Sequence, residues 1–151
     1  MKLTAFILCL LLISVSCAIK PDPIQYGEDN CVHCQMTIMD HRYGTEMVTG
    51  KGKVYKFDSI ECLVEFFEES KDSGEEFSYI LFTPFDQPGK LVDAHESHVL
   101  HSKNLPSPMG MYLTAFETEA AAMKFKDIYG GKVYCWEGLQ ENFGLLRTAG
   151  R

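Results

Sequence analysis

Two stretches of the chain share one layout, and this constrains the fold more than any other feature of the sequence. Phe57-Asp58-Ser59-Ile60-Glu61-Cys62-Leu63-Val64-Glu65-Phe66 is matched by Phe116-Glu117-Thr118-Glu119-Ala120-Ala121-Ala122-Met123-Lys124-Phe125. In each, a Phe closes a strand pattern, an acid and a hydroxyl residue follow, and a second Phe comes at the same spacing. Two copies cannot build an extended solenoid, so the pattern predicts two related supersecondary units packed together. The first helix is expected to begin after Asp58, with Glu61 completing a capping box and Ile60, Leu63, Val64 and Phe67 on one face, and to end near Gly74. The second should begin near Thr118, present Ala121, Ala122, Phe125, Ile128 and Tyr129, and stop at Gly130-Gly131, where a left-handed cap is available. Strand patterns fall at 44–49, 53–57 and 77–83 in the first unit and at 97–101, 111–116 and 132–136 in the second. The reading is an α+β fold: tandem ββαβ repeats, about 36–83 and about 97–139, with two amphipathic helices packed on antiparallel-rich sheet.

Ahead of these units, Lys2 is followed by an apolar run from Leu3 to Ile13 and then by the small residues Ser14, Val15, Ser16 and Cys17. This is the pattern of a secretory signal, and the run is well short of the roughly 20 residues that span a bilayer. A small residue before a cysteine resembles the lipobox of bacterial lipoproteins, although Ser14 stands where that pattern prefers Leu, Val or Ile. The expectation is therefore a signal peptide over 1–16 and a lipid on Cys17, fixing the protein to a membrane of the bacterial cell envelope and facing the periplasm or outside; an ordinary signal cut near Ser16 is the alternative. The segment 17–30, with Pro21, Pro23 and Gly27 and no period, reads as a tether to a folded domain over 31–151. Fourteen basic against 21 acidic residues leave a net charge of -7 with no basic run, which excludes nucleic acid as a partner.

The chemistry is in the sulfur. Cys31-Val32-His33-Cys34-Gln35-Met36 is a C-x-x-C-x-M run whose two thiols can reach one metal ion or each other. Gln35 after Cys34 rules out the c-type haem signature, and no second C-x-x-C exists to complete a zinc ribbon. Met is a poor ligand for Zn²⁺ and a good one for soft Cu(I). Met36 therefore reads either as core filling or as a thioether ligand. Met109, in Pro106-Ser107-Pro108-Met109-Gly110-Met111, sits at a stiff turn where a flexible thioether packs little, so a ligand explains it better; Met111 begins a strand and reads as core. Cys62, on the first helix, and Cys135, in the last strand, read as small buried hydrophobes, Asp58 as a helix cap, and His95, His98 and His101 as a solvated polar face. The acidic run Glu68, Glu69, Asp72, Glu75 and Glu76 reads as another.

C-x-x-C-x-M near the start of the folded part, Phe57-Asp58 opening a helix, and Pro108-Met109-Gly110 before Ala115-Phe116 together resemble the NosL family, over roughly Asn30 to Leu139. The resemblance implies a lipoprotein copper chaperone associated with nitrous oxide reductase assembly, not an enzyme, with a ββαβ repeat and kinship to the organomercurial lyase MerB. It implies Cu(I) as cargo for Cys34, Met36 and Met109, with Cys31 either joining them or pairing with Cys34 as a disulfide. The implied partner is an extracytoplasmic copper enzyme, nitrous oxide reductase or its assembly machinery. Cys62 and Cys135 are not part of the family pattern. Two other activities fit parts of the sequence: a thiol-disulfide oxidoreductase using Cys31 and Cys34, whose motif would normally open a helix in a thioredoxin-like unit, and a MerB-like lyase, for which a second catalytic thiol and an acid are not assignable from the chain.

Overall fold

The structure is a computed structural model in which residues 18–149 are described. The expected signal segment and Cys17 lie outside the described residues. Ser59 and Thr118, the hydroxyls of the shared layout, each start a helix: Ser59 Oγ accepts the backbone N–H of Cys62 (3.5 Å) and Thr118 Oγ1 that of Ala121 (3.2 Å). The first helix, α1, runs Ile60–Ser70; α2 runs Glu119–Tyr129. A 3₁₀ turn follows α1 and stops at Gly74, whose φ of 68° is left-handed. After α2 the chain turns at Gly130 and Gly131, both at positive φ, and a Cβ on Gly131 would lie 2.1 Å from the His101 carbonyl oxygen. Only glycine fits there.

Strands β1 (Thr45–Thr49), β2 (Val54–Phe57), β3 (Phe77–Phe82) and β4 (Val92–Asp93) form one antiparallel sheet in the order β2-β1-β3-β4. Strands β5 (His98–His101), β6 (Leu113–Phe116) and β7 (Lys132–Tyr134) form the second, in the order β6-β5-β7. A third helix, α3, covers Trp136–Ala149. The α+β class with helices on antiparallel sheet is thus the one the chain adopts, with three α-helices among the described residues where two were expected. None of them is long and apolar enough to cross a membrane. Helix α1 packs against β1 and β2 and also against β6, so it bridges the two sheets. Beneath it lies the main core, with Ile38, Met47, Phe57, Leu63, Phe82, Val99, Leu113, Trp136 and Leu139 all buried. Full burial of side chains this size contributes roughly 1.5–3 kcal/mol each. A smaller cluster, Leu100, Leu105, Phe116 and Ala122, seats α2 on the second sheet.

Four sequence expectations are corrected. The pattern at 132–136 stops being strand at Tyr134; Trp136 opens α3, whose Leu139, Phe143 and Leu146 are buried along one side, a pattern hidden by Gly138 and Gly144. Cys135 is consequently exposed, not core, and its Sγ accepts the Gly138 N–H at the start of α3 (3.4 Å). The residues from Asp22 to Asn30 are docked, not a tether. Ile24 is buried, Tyr26 stacks on His41 (4.0 Å between ring centroids), Asp22 and Asp29 each bind Lys56 Nζ at 2.8 Å, and Gly27 N–H donates to Ile38 O (2.9 Å). These contacts are made by isolated side chains and ion pairs, which is why the segment shows no period. Last, His98 and His101 are half-buried and His98 Nδ1 and His101 Nε2 have no hydrogen-bond partner among the described residues, so they are not a solvated face.

The docked strap has a consequence for the first sheet. Thr45 in β1 turns toward α1, donating from Oγ1 to Ser59 O (3.2 Å), so Glu46 faces the other side by alternation. There its Oε1 accepts the Asp22 N–H (3.0 Å), while Oε2 is buried without a partner among the described residues. Burial raises the Glu46 carboxyl from 4.5 to about 7, opposed by the Asp22 N–H and by Lys56.

Candidate metal centre

The C-x-x-C-x-M run folds into a closed loop against the end of β2. Cys31 N–H donates to Met36 O (2.8 Å), Gln35 N–H to Cys31 O (2.9 Å) and Val32 N–H to Lys56 O (2.9 Å). Gln35 takes a positive φ of 64°, which turns the chain back on itself. From the opposite side of the loop, His33 Nε2 meets Glu65 Oε2 of α1 at 2.9 Å, and Glu65 in turn meets Arg147 of α3 at 3.3 Å. The loop is therefore pinned at both its strand and its helix edge.

This folding brings Cys31 and Cys34 together with a third thiol, Cys62 in the first turn of α1. Their sulfur atoms all lie within 4.8 Å of one another. Three thiolates about 2.3 Å from a common metal, the length of a Zn–S bond, would lie about 4 Å apart in a trigonal plane. Closing the trio on one ion needs only sub-ångström movement. Cys31 and Cys62 are buried and Cys34 is half-buried, so the trio reaches the surface through Cys34. All three are free thiols.

Their ionisation is unequal, for reasons the geometry supplies. The Cys62 thiol beside Cys31, helped by the backbone N–H groups of Cys34 (3.4 Å) and Asp58, lowers Cys31 from 9.0 to about 5 against the opposing effect of burial. Cys62 is pushed far up, because its proton is held by the Cys31 sulfur and because it is buried beside negative charge. Burial raises Cys34, and the neighbouring Cys31 thiolate adds to the effect. At neutral pH the resting trio is thus one thiolate and two thiols. Asp58 is buried next to them; desolvation and the Cys31 thiolate raise its carboxyl, while the Met39 N–H works the other way. It precedes the helix cap instead of being the cap, which is Ser59.

A second loop is fastened to the same helix turn. Ser107 Oγ donates to Glu61 Oε1, Tyr112 N–H donates to Ser107 Oγ (2.8 Å), and Tyr43 Oη donates to Pro106 O (2.7 Å). Glu61, expected to close a capping box, is instead buried, and desolvation raises its carboxyl. Met109 on this loop is 37% exposed, Met36 is 46% exposed and Met39 65%, so thioethers are available at the surface, whereas Met111 is buried in the core as expected, although it lies in the loop ahead of β6 and does not begin the strand.

Of the residues singled out from sequence, Cys31 and Cys34 are brought together and Met36 and Met109 stand exposed on two anchored loops. Cys62, read from sequence as a small hydrophobe, belongs to the trio. Nothing local marked it, because a thiol among Ile60, Leu63 and Val64 on an amphipathic helix has the pattern of a core residue.

Among curated protein sequences no match to the chain is found. Among solved structures, the crystal structure of the copper chaperone NosL from Shewanella denitrificans is similar, with a TM-score of 0.64 and 19% identity over 80% of this chain and 95% of that one. At this identity the likeness concerns the fold. The NosL family profile matches residues 24–143, nearly all of the described chain, and so includes the docked strap from Ile24 on, both sheets and all three cysteines of the trio. The chain belongs to the NosL family.

Proposed function

We propose that this protein is a Cu(I)-binding metallochaperone that holds the ion at Cys31, Cys34 and Cys62, with one thioether, Met109 or Met36, as a further ligand on the open side. One observation carries the reading: three thiols gathered within bonding reach of one ion, one already a thiolate, with a single sulfur at the surface. Soft thiolates and thioethers in low coordination number suit Cu(I) over harder divalent ions. The family membership and the fold shared with a copper chaperone support the same assignment.

The ion enters at Cys34, the accessible sulfur. It displaces the protons of Cys34 and Cys62 and finds Cys31 already charged. Release reverses this path: a soft side chain of the receiving protein approaches the open side, shares the ion with the exposed thioethers, and takes it as Cys34 lets go. Copper is passed between ligands without being free in solution. The receiver is an extracytoplasmic copper enzyme, nitrous oxide reductase or its assembly machinery, and the donor is held beside it by the lipid on Cys17.

Anaerobic competition titration of the reduced protein with Cu(I), repeated with Zn²⁺, tests the reading. One Cu(I) per monomer is expected, held far more tightly than zinc and strongly weakened in Cys34→Ser, Cys62→Ser and Met109→Ala. Undiminished binding in all three variants would remove the site from these residues. Cys17→Ala should shift the protein from the membrane to the soluble fraction, and a variant that still needs detergent would refute the anchor.

A further inference from the structure

Glu61 is an expensive residue in its position. It is buried, its Oε1 accepts from Ser107 Oγ and from the Leu113 N–H (3.4 Å), and its Oε2 is buried with no partner among the described residues. A half-satisfied buried carboxylate stabilises a fold less well than an apolar side chain of the same size. Stability therefore does not account for it.

Its connections do. Ser107 Oγ also accepts the Tyr112 N–H (2.8 Å), so both ends of the segment 107–113 converge on one carboxylate. Between them the backbone is stiff and partly strained, with Pro108, Gly110 at φ 75° and Tyr112, a non-glycine residue, at φ 63°. Tyr112 in the left-handed region is strained and persists only where its surroundings hold it. The segment held in this way carries Met109. The residue holding it is next in the chain to Cys62, in the same helical turn. The proline-rich loop, through Glu61, and the thiol trio, through Cys62, thus share one mount, the first turn of α1.

We infer that Glu61 is a positioning residue: through Ser107 it sets the Met109 thioether at the open side of the thiol trio, and so determines whether bound Cu(I) receives a thioether ligand. The inference rests on the Cu(I) reading above. It assigns to a buried acid that touches no metal the task of coupling two loops that the sequence keeps far apart.

The experiment is Cu(I) competition titration of Glu61→Leu, Ser107→Ala and Glu61→Gln, each with Met109 present and in a Met109→Leu background, alongside thermal unfolding of the copper-free proteins. Glu61→Leu and Ser107→Ala cut the tie from opposite sides. Glu61→Leu removes a buried carboxylate, a change that is often neutral or stabilising, so the test survives if Ser107→Ala does not fold. With Met109 present, both should weaken Cu(I) binding about tenfold, a coupling of about 1.4 kcal/mol. In the Met109→Leu background neither should have an effect beyond about twofold. Glu61→Gln, which can still accept from Ser107, should bind within about twofold of the natural protein. A structural role would weaken binding equally in both backgrounds and in step with lost thermal stability; that result, or no weakening in either background, overturns the inference. If Cys34→Ser and Cys62→Ser abolish binding while the coupling to Met109 is missing, only the positioning role fails. If those two variants bind Cu(I) normally, the Cu(I) site itself is wrong and the positioning role falls with it.

Discussion

Loading the trio with copper should release about two protons, and the count can be worked from the resting ionisation of the three thiols. Cys31 at about 5 is almost wholly a thiolate at pH 7, whereas burial and the adjacent thiolate keep Cys34 and Cys62 protonated. Three-thiolate coordination must then expel the protons of Cys34 and Cys62 and none from Cys31. Each proton released makes affinity rise about tenfold per pH unit, so Cu(I) affinity should climb about a hundredfold per unit around neutrality and more steeply below the Cys31 value, where a third proton must leave. The measurement is a set of anaerobic competition titrations at several pH values, paired with direct proton counting by indicator dye in weakly buffered solution. Cys62→Ala supplies the internal check. It removes one of the two departing protons and also the S–H group most responsible for the Cys31 thiolate, so the thiolate absorbance of the copper-free protein should fall at neutral pH. A slope of one at neutral pH in the natural protein would mean that Cys62 keeps its proton and is not a ligand; in Cys62→Ala the proton lost with Cys62 is replaced by one on Cys31, so the slope there stays near two while the thiolate absorbance falls. A slope of three would mean that Cys31 rests as a thiol, and the electrostatic account of the site would be wrong.

Three other outcomes are expected. Glu46 has a folded value of about 7, above its ordinary 4.5, so it contributes stability that is fully present below 4.5 and lost as pH rises through 7. In urea unfolding, Glu46→Gln should therefore match the natural protein near pH 4.5 and exceed it at pH 8 by up to about 3 kcal/mol; a difference that does not vary with pH would refute this. Thiol labelling of the copper-free protein should be fast at exposed Cys135 and slow at Cys31 and Cys62, with Cys34 the one site that copper protects; equal Cys34 labelling with and without copper would exclude it as a ligand. Gly131→Ala should destabilise the fold by at least about 1–3 kcal/mol in the same urea assay, because the backbone strain at φ 98° is joined by a clash with the His101 carbonyl, and an unchanged midpoint would contradict the turn geometry.

What the sequence revealed of the fold follows from where periodicity exists. Helices α1 and α2 were legible because each opens on a hydroxyl cap and buries one side, and six of the seven strands were legible because they alternate or are wholly apolar between turn residues; the two-residue β4 is too short to show a pattern. Helix α3 was concealed by Gly138 and Gly144, although neither position is too crowded for a side chain: a Cβ on Gly138 would meet Cys135 Sγ at an ordinary 3.5 Å, and one on Gly144 would meet nothing. The strap from Asp22 to Asn30 has no period at all. Its hold on the sheet depends on Ile24 and Tyr26 as single contacts and on Lys56 between two aspartates, and such long-range pairs leave no trace in a local pattern.

The site divides in the same way. The C-x-x-C-x-M loop is local, so Cys31, Cys34 and Met36 could be proposed from spacing and soft-ligand chemistry alone. Cys62 could not, because a thiol flanked by Ile60, Leu63 and Val64 on an amphipathic helix looks like any other core residue. Its difference is electrostatic and tertiary. Burial of a thiol among apolar side chains raises it and leaves it inert, but Cys62 is buried against another sulfur, and its proton makes that sulfur, Cys31, a thiolate. The unreactive appearance of Cys62 and the charge on Cys31 are thus two sides of one hydrogen bond. On the proposed assignment an incoming soft cation would replace the proton in that bond and gain two thiolates by displacing one proton. Cys62 would on that assignment serve the resting state as a proton donor and the loaded state as a ligand, and both roles require it to be buried within reach of Cys31 and Cys34.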